Sequence, residues 1–223
     1  HELIHRFARW GLRPDVSPKL TQLGLDLDPE ATFQHALGVA RRTREAGGRF
    51  WIDMEDSSYV DRTLDIYERL LAVQPGIGVC IQAYLRRTPA DIERLRPLRA
   101  SIRLVKGAYN EPAELAYRSK SDVSAAYRDL SMGMLADAAA GRMTLGLATH
   151  DVELVEEIAR AGAHTGAGRE AFEVQMLYGI RVDQQRRLRD EGYRVRVLIA
   201  YGEYWYPWYV RRLAERPANL LFA

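Results

Sequence analysis

Short apolar runs recur along the chain with longer amphipathic segments between them, and this alternation restricts the possible fold more than any other feature. Runs at 15–21, 49–55, 76–85, 101–108, 143–150, 172–179 and 194–202 read as strands. Segments at 29–46, 58–73, 89–98, 119–140, 152–161, 182–191 and 206–216 read as helices. Asp28-Pro29 and Thr88-Pro89 are spaced as a cap followed by proline in the first helical turn, and Gly47-Gly48, Gly141 and Gly192 stand where helices should end. A strand that returns to its sheet through a helix must lie parallel to its predecessor, so repeated βα units imply a parallel sheet.

Two architectures satisfy that pattern, an open doubly wound sheet and a (βα)8 barrel of the TIM type. The open sheet should carry a Gly-x-Gly-x-x-Gly turn between an early strand and its helix. The nearest candidate, within 162–168, follows a helix and precedes a strand, which is the wrong side for that role. The barrel is therefore expected, its first βα unit missing from the sequence and residues 1–223 forming one N-terminally truncated domain.

With 47% hydrophobic and 28% charged residues, the 223-residue chain is long enough for one sizeable core. The 32 basic and 30 acidic residues are dispersed, giving a net charge of only +2, which speaks against a nucleic-acid partner. Cys80, the single cysteine, lies in the apolar run 77–81; it forbids a disulfide within the chain, reads as a buried inert thiol and fits a reducing compartment. No apolar stretch reaches the roughly 18 residues of a membrane span.

A parallel barrel works at the carboxyl ends of its strands, so polar residues closing apolar runs are the informative ones. Asp53, Gln82, Arg103, Lys106, Thr149, His150 and Gln175 all close such runs. Each alone could be a solvated end or a helix cap, as Asp56 and Asp151 could be; their repetition around one rim is the signal. Arg103 and Lys106 sit in a run too apolar for exposed cations, and Asp53 or a bound anion could partner them. A second feature is the segment 204–217, where Glu215 lies i+4 from Arg211 and i+3 from Arg212 on an expected helix. Paired arginines held by a carboxylate suit two-pronged capture of a carboxylate ligand. Histidines 1, 5, 35, 150 and 164 show no zinc-ligand spacing, and neither a nucleophile elbow nor a Walker loop is present, so no metal site is expected.

The segments VSPKLTQLGL (16–25), IDMEDS (52–57), RLVKGAY (103–109), ATHD (148–151), FEVQMLYG (172–179) and YVRRLAERPANL (209–220) together resemble the proline dehydrogenase family, in order and across nearly the whole chain. The resemblance implies a (βα)8 barrel, non-covalent FAD, oxidation of L-proline to 1-pyrroline-5-carboxylate and electron transfer to a quinone. It also implies a cytoplasmic protein with peripheral contact at the inner face of the cell membrane. By the same resemblance Arg211 and Arg212 clamp the substrate carboxylate and Glu215 supports their helix. Lys19 and Asp53 line the same pocket, where their opposite charges can pair and orient each other, and Tyr109 and Leu177 pack on the imino-acid ring. Gln82, Arg103, Val105, Lys106, Gly107 and Ala108 match positions that hold the flavin, as do Thr149, His150, Gln175 and Arg212.

The sequence departs from the family at Leu198, where a tyrosine is usual, and at Ala200, where a proline is usual. Loss of that ring and hydroxyl is expected to leave activity but relax the preference for proline over 4-hydroxyproline. Two competing readings are a barrel lyase using Lys106 as a Schiff-base nucleophile and an inactive relative kept for binding.

Overall fold

A computed structural model describes residues 2–200 of the chain. Seven strands, β1 (Asp15–Val16), β2 (Arg49–Ile52), β3 (Gly78–Gln82), β4 (Ser101–Val105), β5 (Thr144–Ala148), β6 (Phe172–Leu177) and β7 (Val195–Leu198), pair in chain order in one sheet. Every pairing is parallel. Helix α1 (Glu2–Arg9) precedes β1, and α2 (Pro29–Glu45), α3 (Val60–Val73), α4 (Thr88–Leu95), α5 (Lys120–Ala139), α6 (Val152–Ala163) and α7 (Val182–Asp190) make the six crossovers.

The sheet is curled. Laid flat, β1 and β7 would stand about 29 Å apart at the usual strand spacing, yet Arg196 of β7 lies 2.7 Å from Asp15 of β1. Likewise Arg49 of β2 reaches Glu173 of β6 at 3.1 Å. The seven strands thus form the wall of the expected barrel, with β1 and β7 facing each other across the interior.

Strand alternation divides this wall into two unlike faces. Ile52, Val79, Ile81, Ile102, Leu104, Leu145, Leu147, Val174 and Met176 are buried on the outer face. With Leu64, Tyr67, Leu95, Tyr127, Met134, Val155 and Ile158 of the helices they belong to one apolar core. Two buried tyrosines also stitch helices to strands, Tyr67 donating to the Ile77 carbonyl at 3.2 Å and Tyr127 to the Leu104 carbonyl at 3.1 Å. The inner face carries Asp15, Arg49, Trp51, Cys80, Arg103, Glu173, Gln175 and Arg196 instead. Room for its large side chains comes from two glycines. A Cβ on Gly78 would lie 2.1 Å from the Trp51 ring, and one on Gly146 would lie 2.7 Å from Gln175 Nε2.

The observed strands are shorter than the apolar runs suggest. At β1 the reason is Pro18, which cannot donate to a ladder. After Val16 the pairing is interrupted, yet Asp53 N still donates to the Pro18 carbonyl and Lys19 meets Asp53 as an isolated bridge, so the register survives the break. The runs ending at Leu85 and Ala108 outlast β3 and β4 because their last residues turn into rim loops; Gly107 takes φ +116°, which ends extended backbone. Asp28 caps α2 as expected, accepting from Glu30 N and Ala31 N. Thr88 does not cap α4. It lies inside the helix, and its hydroxyl donates to the Gln82 carbonyl at 2.5 Å. Expected residues 201–202 of the last strand and the helix at 206–216 fall outside the described residues.

Cys80 is 6% exposed on β3, and burial pushes its thiol up to about 12, with the Asp53 carboxylate adding to the shift. This matches the inert thiol read from its apolar run.

The two glycine environments give a paired test. Gly78→Ala should cost about 2 kcal/mol through overpacking against Trp51 and lower Tm by roughly 4–8 °C. Gly133→Ala, in α5 with no atom within 4 Å of the added carbon, should gain up to about 1 kcal/mol. Thermal melts of both variants check the pair.

Candidate active site

At the carboxyl mouth the inner face gathers a connected set of polar side chains. Arg103, 7% exposed, is the hub. Its Nε donates to Gln175 Oε1 at 2.7 Å, and its Nη1 donates to Ser17 Oγ and Asp53 Oδ1, both at 2.8 Å. Ser17 in turn donates to Asp53 Oδ1 at 2.5 Å. The guanidinium lies 4.7 Å from the centroid of the Trp51 ring, within cation–π range. A buried guanidinium left unpaired would cost several kcal/mol, so strands β1, β2, β4 and β6 converge on it for a physical reason.

Burial raises the Asp53 carboxyl above its ordinary value, against the opposing pull of Arg103, Ser17 and Lys19. Lys19 does not pair with Asp53 as the sequence suggested. Its Nζ donates instead to Tyr109 Oη at 3.0 Å, while Arg103 and Ser17 hold Oδ1 of that carboxylate.

Tyr109 stands on the loop after β4, and that loop is pinned at both ends. Gly107 packs so closely on Tyr84 that a Cβ would meet the ring at 2.2 Å. Beyond Tyr109, the buried Glu111 carboxylate accepts from Ser57 N at 2.7 Å and Ser57 Oγ at 2.6 Å, tying the loop to the start of the β2–α3 connection. Glu55, also buried, accepts from Thr21 N and Thr21 Oγ1 and ties β2 to the loop after β1.

Lys106 is not inside the barrel with Arg103. One residue past β4, it turns toward the helices, where Nζ donates to Ser124 Oγ at 2.9 Å and Asp151 Oδ2 at 2.8 Å. Burial raises the Asp151 carboxyl, but Lys106 outweighs it and holds the group below its usual value. Asp151 also caps α6, as Asp56 caps the turn at Ser57–Tyr59. Thr149 is buried beside it, its hydroxyl accepting from Asp151 N. His150 Nε2 accepts from Leu177 N at 3.4 Å, linking the rims of β5 and β6. Leu177 pairs in the ladder with Leu198, which is 38% exposed at the end of β7.

The structure thus joins Asp53, Arg103 and Gln175 in one network and sets the Lys19–Tyr109 pair beside it, with Gln82 and Leu177 on neighbouring strand ends and Val105 and Ala108 along β4 and its loop. Arg211, Arg212 and Glu215 lie outside the described residues. Among the described residues no histidine, cysteine or acidic cluster could hold a metal, and no helix is long and apolar enough to cross a membrane. Ser17, Trp51, Glu111 and Glu173 were not singled out as site residues in the sequence, although the period-two rows Asp15–Ser17–Lys19, Arg49–Trp51–Asp53 and Glu173–Gln175–Leu177 place three of them beside residues that were.

Below the network lies a second polar layer. Glu173 accepts from Arg49 Nη2, from Arg196 Nε at 2.8 Å and from Gln175 Nε2 at 2.9 Å. Asp15 also meets Arg49 at 3.0 Å and Arg196 at 2.7 Å. Burial pushes the Glu173 carboxyl up, but Arg196 and Arg49 together hold it below its ordinary value.

A parallel αβ wall that buries its apolar side chains outside, and gathers cations, a carboxylate and a phenol at its carboxyl mouth, defines a TIM-barrel-like enzyme. The sequence matches the family described as proline dehydrogenase over residues 4–223. It is 42% identical to a proline dehydrogenase of Deinococcus radiodurans, covering 99% of this chain and 72% of the relative. It is 38% identical to proline dehydrogenase 2 of Bacillus subtilis strain 168, covering 100% of this chain and 72% of that one. Among solved structures, proline utilization A from Bdellovibrio bacteriovorus inactivated by N-propargylglycine superposes with a TM-score of 0.83 at 25% identity. That match covers 95% of this chain and 27% of the much longer neighbour. The chain belongs to the proline dehydrogenase family and is an oxidoreductase of the proline dehydrogenase type.

The Glu173 ion layer has a definite pH signature. A carboxylate held low when folded stabilises the fold above its unfolded value, near 4.5, and loses that contribution as pH falls through the folded value. Glu173→Gln should therefore cost roughly 1–3 kcal/mol at pH 7. The gap to the unsubstituted protein should narrow as pH drops below about 4.5. Urea midpoints measured at pH 7, 5 and 3.5 check both parts.

Proposed function

We propose that this chain oxidises L-proline to 1-pyrroline-5-carboxylate with FAD bound at the carboxyl mouth, passing the electrons on to a quinone. The observation that carries the reading is the buried Arg103, fixed between Asp53 and Gln175 beside the Lys19–Tyr109 couple, in a member of this family.

The mouth fits such a cofactor. Gln82 Oε1 is buried at the end of β3 with no hydrogen-bond donor among the described residues. Flavin rings carry both N–H donors and carbonyl acceptors. Gly107 brings bare backbone to the rim where a side chain cannot stand, and Arg103 offers positive charge. Gln82, Arg103, Val105, Lys106, Gly107 and Ala108 would hold the group from β3 and β4, and Thr149, His150 and Gln175 from β5 and β6. When bound, FAD supplies the hydride acceptor.

The chain's own residues bind and orient the imino acid. Lys19 and Tyr109 present a cation and a hydroxyl to one side of the mouth and Leu177 an apolar surface to the other; Arg211 and Arg212 would clamp the carboxylate, with Glu215 in support. Asp53 keeps Arg103 and the positive end of the pocket in place. The Lys106 lyase reading is weaker, because the ammonium is bound to Asp151 and Ser124 on the helix side of β4 rather than in the pocket. A single domain, a cytoplasmic location and peripheral contact at the inner face of the cell membrane complete the proposal.

Purified protein should carry FAD, and proline added without oxygen should bleach its visible band. Flavin that proline cannot reduce would overturn the substrate, and protein without flavin would favour the lyase. Tyr109→Phe, which strips Lys19 of its acceptor, should raise KM about tenfold, the equivalent of one lost charged hydrogen bond. Leu198→Tyr should raise the ratio of kcat/KM for proline over that for trans-4-hydroxyproline; an unchanged ratio would remove Leu198 as a specificity determinant.

A further inference from the structure

The Gln175 side-chain amide sits between groups of opposite demand. Above it Arg103 Nε can only donate, and it points at Gln175 Oε1 from 2.7 Å. Below it the Glu173 carboxylate can only accept, and it receives Gln175 Nε2 at 2.9 Å. Turning the amide over would set nitrogen against nitrogen on one side and oxygen against oxygen on the other. On one side the amide packs directly on Gly146, where even an added methyl carbon would come within 2.7 Å of Nε2.

We infer that Glu173 is a positioning residue for Arg103, acting through the orientation of Gln175. Its carboxylate, itself fixed by Arg49 and Arg196, keeps the amide oxygen turned toward the guanidinium and thereby keeps the cation at the mouth. A glutamine at position 173 would remove the preference, because an amide can accept from either face of Gln175 or donate to it. Arg103 Nε would then lose its acceptor in part of the population.

This inference rests on the flavin reading above, and the consequence appears there. A reduced flavin carries negative charge, so a cation held rigidly beside it favours the reduced form. Loosening Arg103 lowers the midpoint potential of the bound cofactor. Merely deleting the negative charge of Glu173 acts oppositely, since a more positive interior raises the potential. The sign separates the two effects.

The test is spectroelectrochemical titration of the FAD-loaded protein and of Glu173→Gln, Glu173→Asp, Asp15→Asn and Gln175→Met, with the Glu173→Gln, Gln175→Met pair combined. Glu173→Gln should lower the potential. Glu173→Asp, which keeps the charge but withdraws it from Gln175, should lower it in the same direction and serves if the first variant does not fold. Asp15→Asn breaks the same ion layer without touching Gln175 and should not lower it. In the Gln175→Met background the Glu173→Gln change should no longer lower it. A rise, an unmoved potential, an equal fall with Asp15→Asn, or a fall that persists in the Gln175→Met background overturns the relay. If the unsubstituted protein binds no flavin, the flavin reading itself fails and takes the effect on potential with it, an outcome distinct from flavin bound at an unmoved potential.

Discussion

A guanidinium taken out of water needs a countercharge and acceptors for its donors, and the arrangement of this barrel follows from supplying them at Arg103. One strand cannot do it. The carboxylate comes from just past β2, the hydroxyl from just past β1, the amide from β6 and the aromatic face from Trp51 of β2. These strands can meet only if the sheet curls, so pairing the buried charge and curling the wall are one requirement. The ion layer beneath repeats the logic with Asp15, Arg49, Glu173 and Arg196 joining strands from opposite edges of the sheet.

The division of labour between the two faces is sharp. Outside, aliphatic side chains meet the helices and supply non-directional stabilisation by burial. Inside, directional bonds between charged and polar groups fix where each strand lies relative to its distant partners. Gly78 and Gly146 mark the boundary conditions, since each gives up a side chain so that a larger neighbour, Trp51 or Gln175, can lie across it. The rim then inherits its geometry from below. Tyr109 reaches Lys19 because Glu111 and Gly107 hold its loop at two points.

Much of this was legible in the chain. The βα alternation gave the element order, and all seven strands and the six crossover helices within residues 2–200 lie where the apolar periodicity placed them. The strand ends were misjudged for a consistent reason. Residues such as Tyr84 and Leu85 are as apolar as the strands they follow because rim loops here are themselves buried, so hydropathy cannot mark where pairing stops. The site residues Asp53, Arg103 and Gln175 were legible as polar ends to apolar runs, but their partners were not. Which anion answers which cation depends on curvature and on distances between strands far apart in sequence, and Lys19 accordingly meets a phenol rather than the carboxylate beside it. The glutamate of the lower layer had the same inward parity as Gln175, a signal that was available yet ambiguous without knowing that the inner face is the polar one.

The single sulfur of the chain turns this architecture into its own reporter. Cys80 sits in the middle of β3, shielded on the inner face, with a thiol that scarcely ionises at neutral pH. A thiolate is the species that alkylating reagents trap, so modification there requires the strand to leave the wall. The rate of labelling by a thiol reagent consequently counts opening events of the barrel itself, one site per molecule, with no engineered probe and no background from any other residue of this chain.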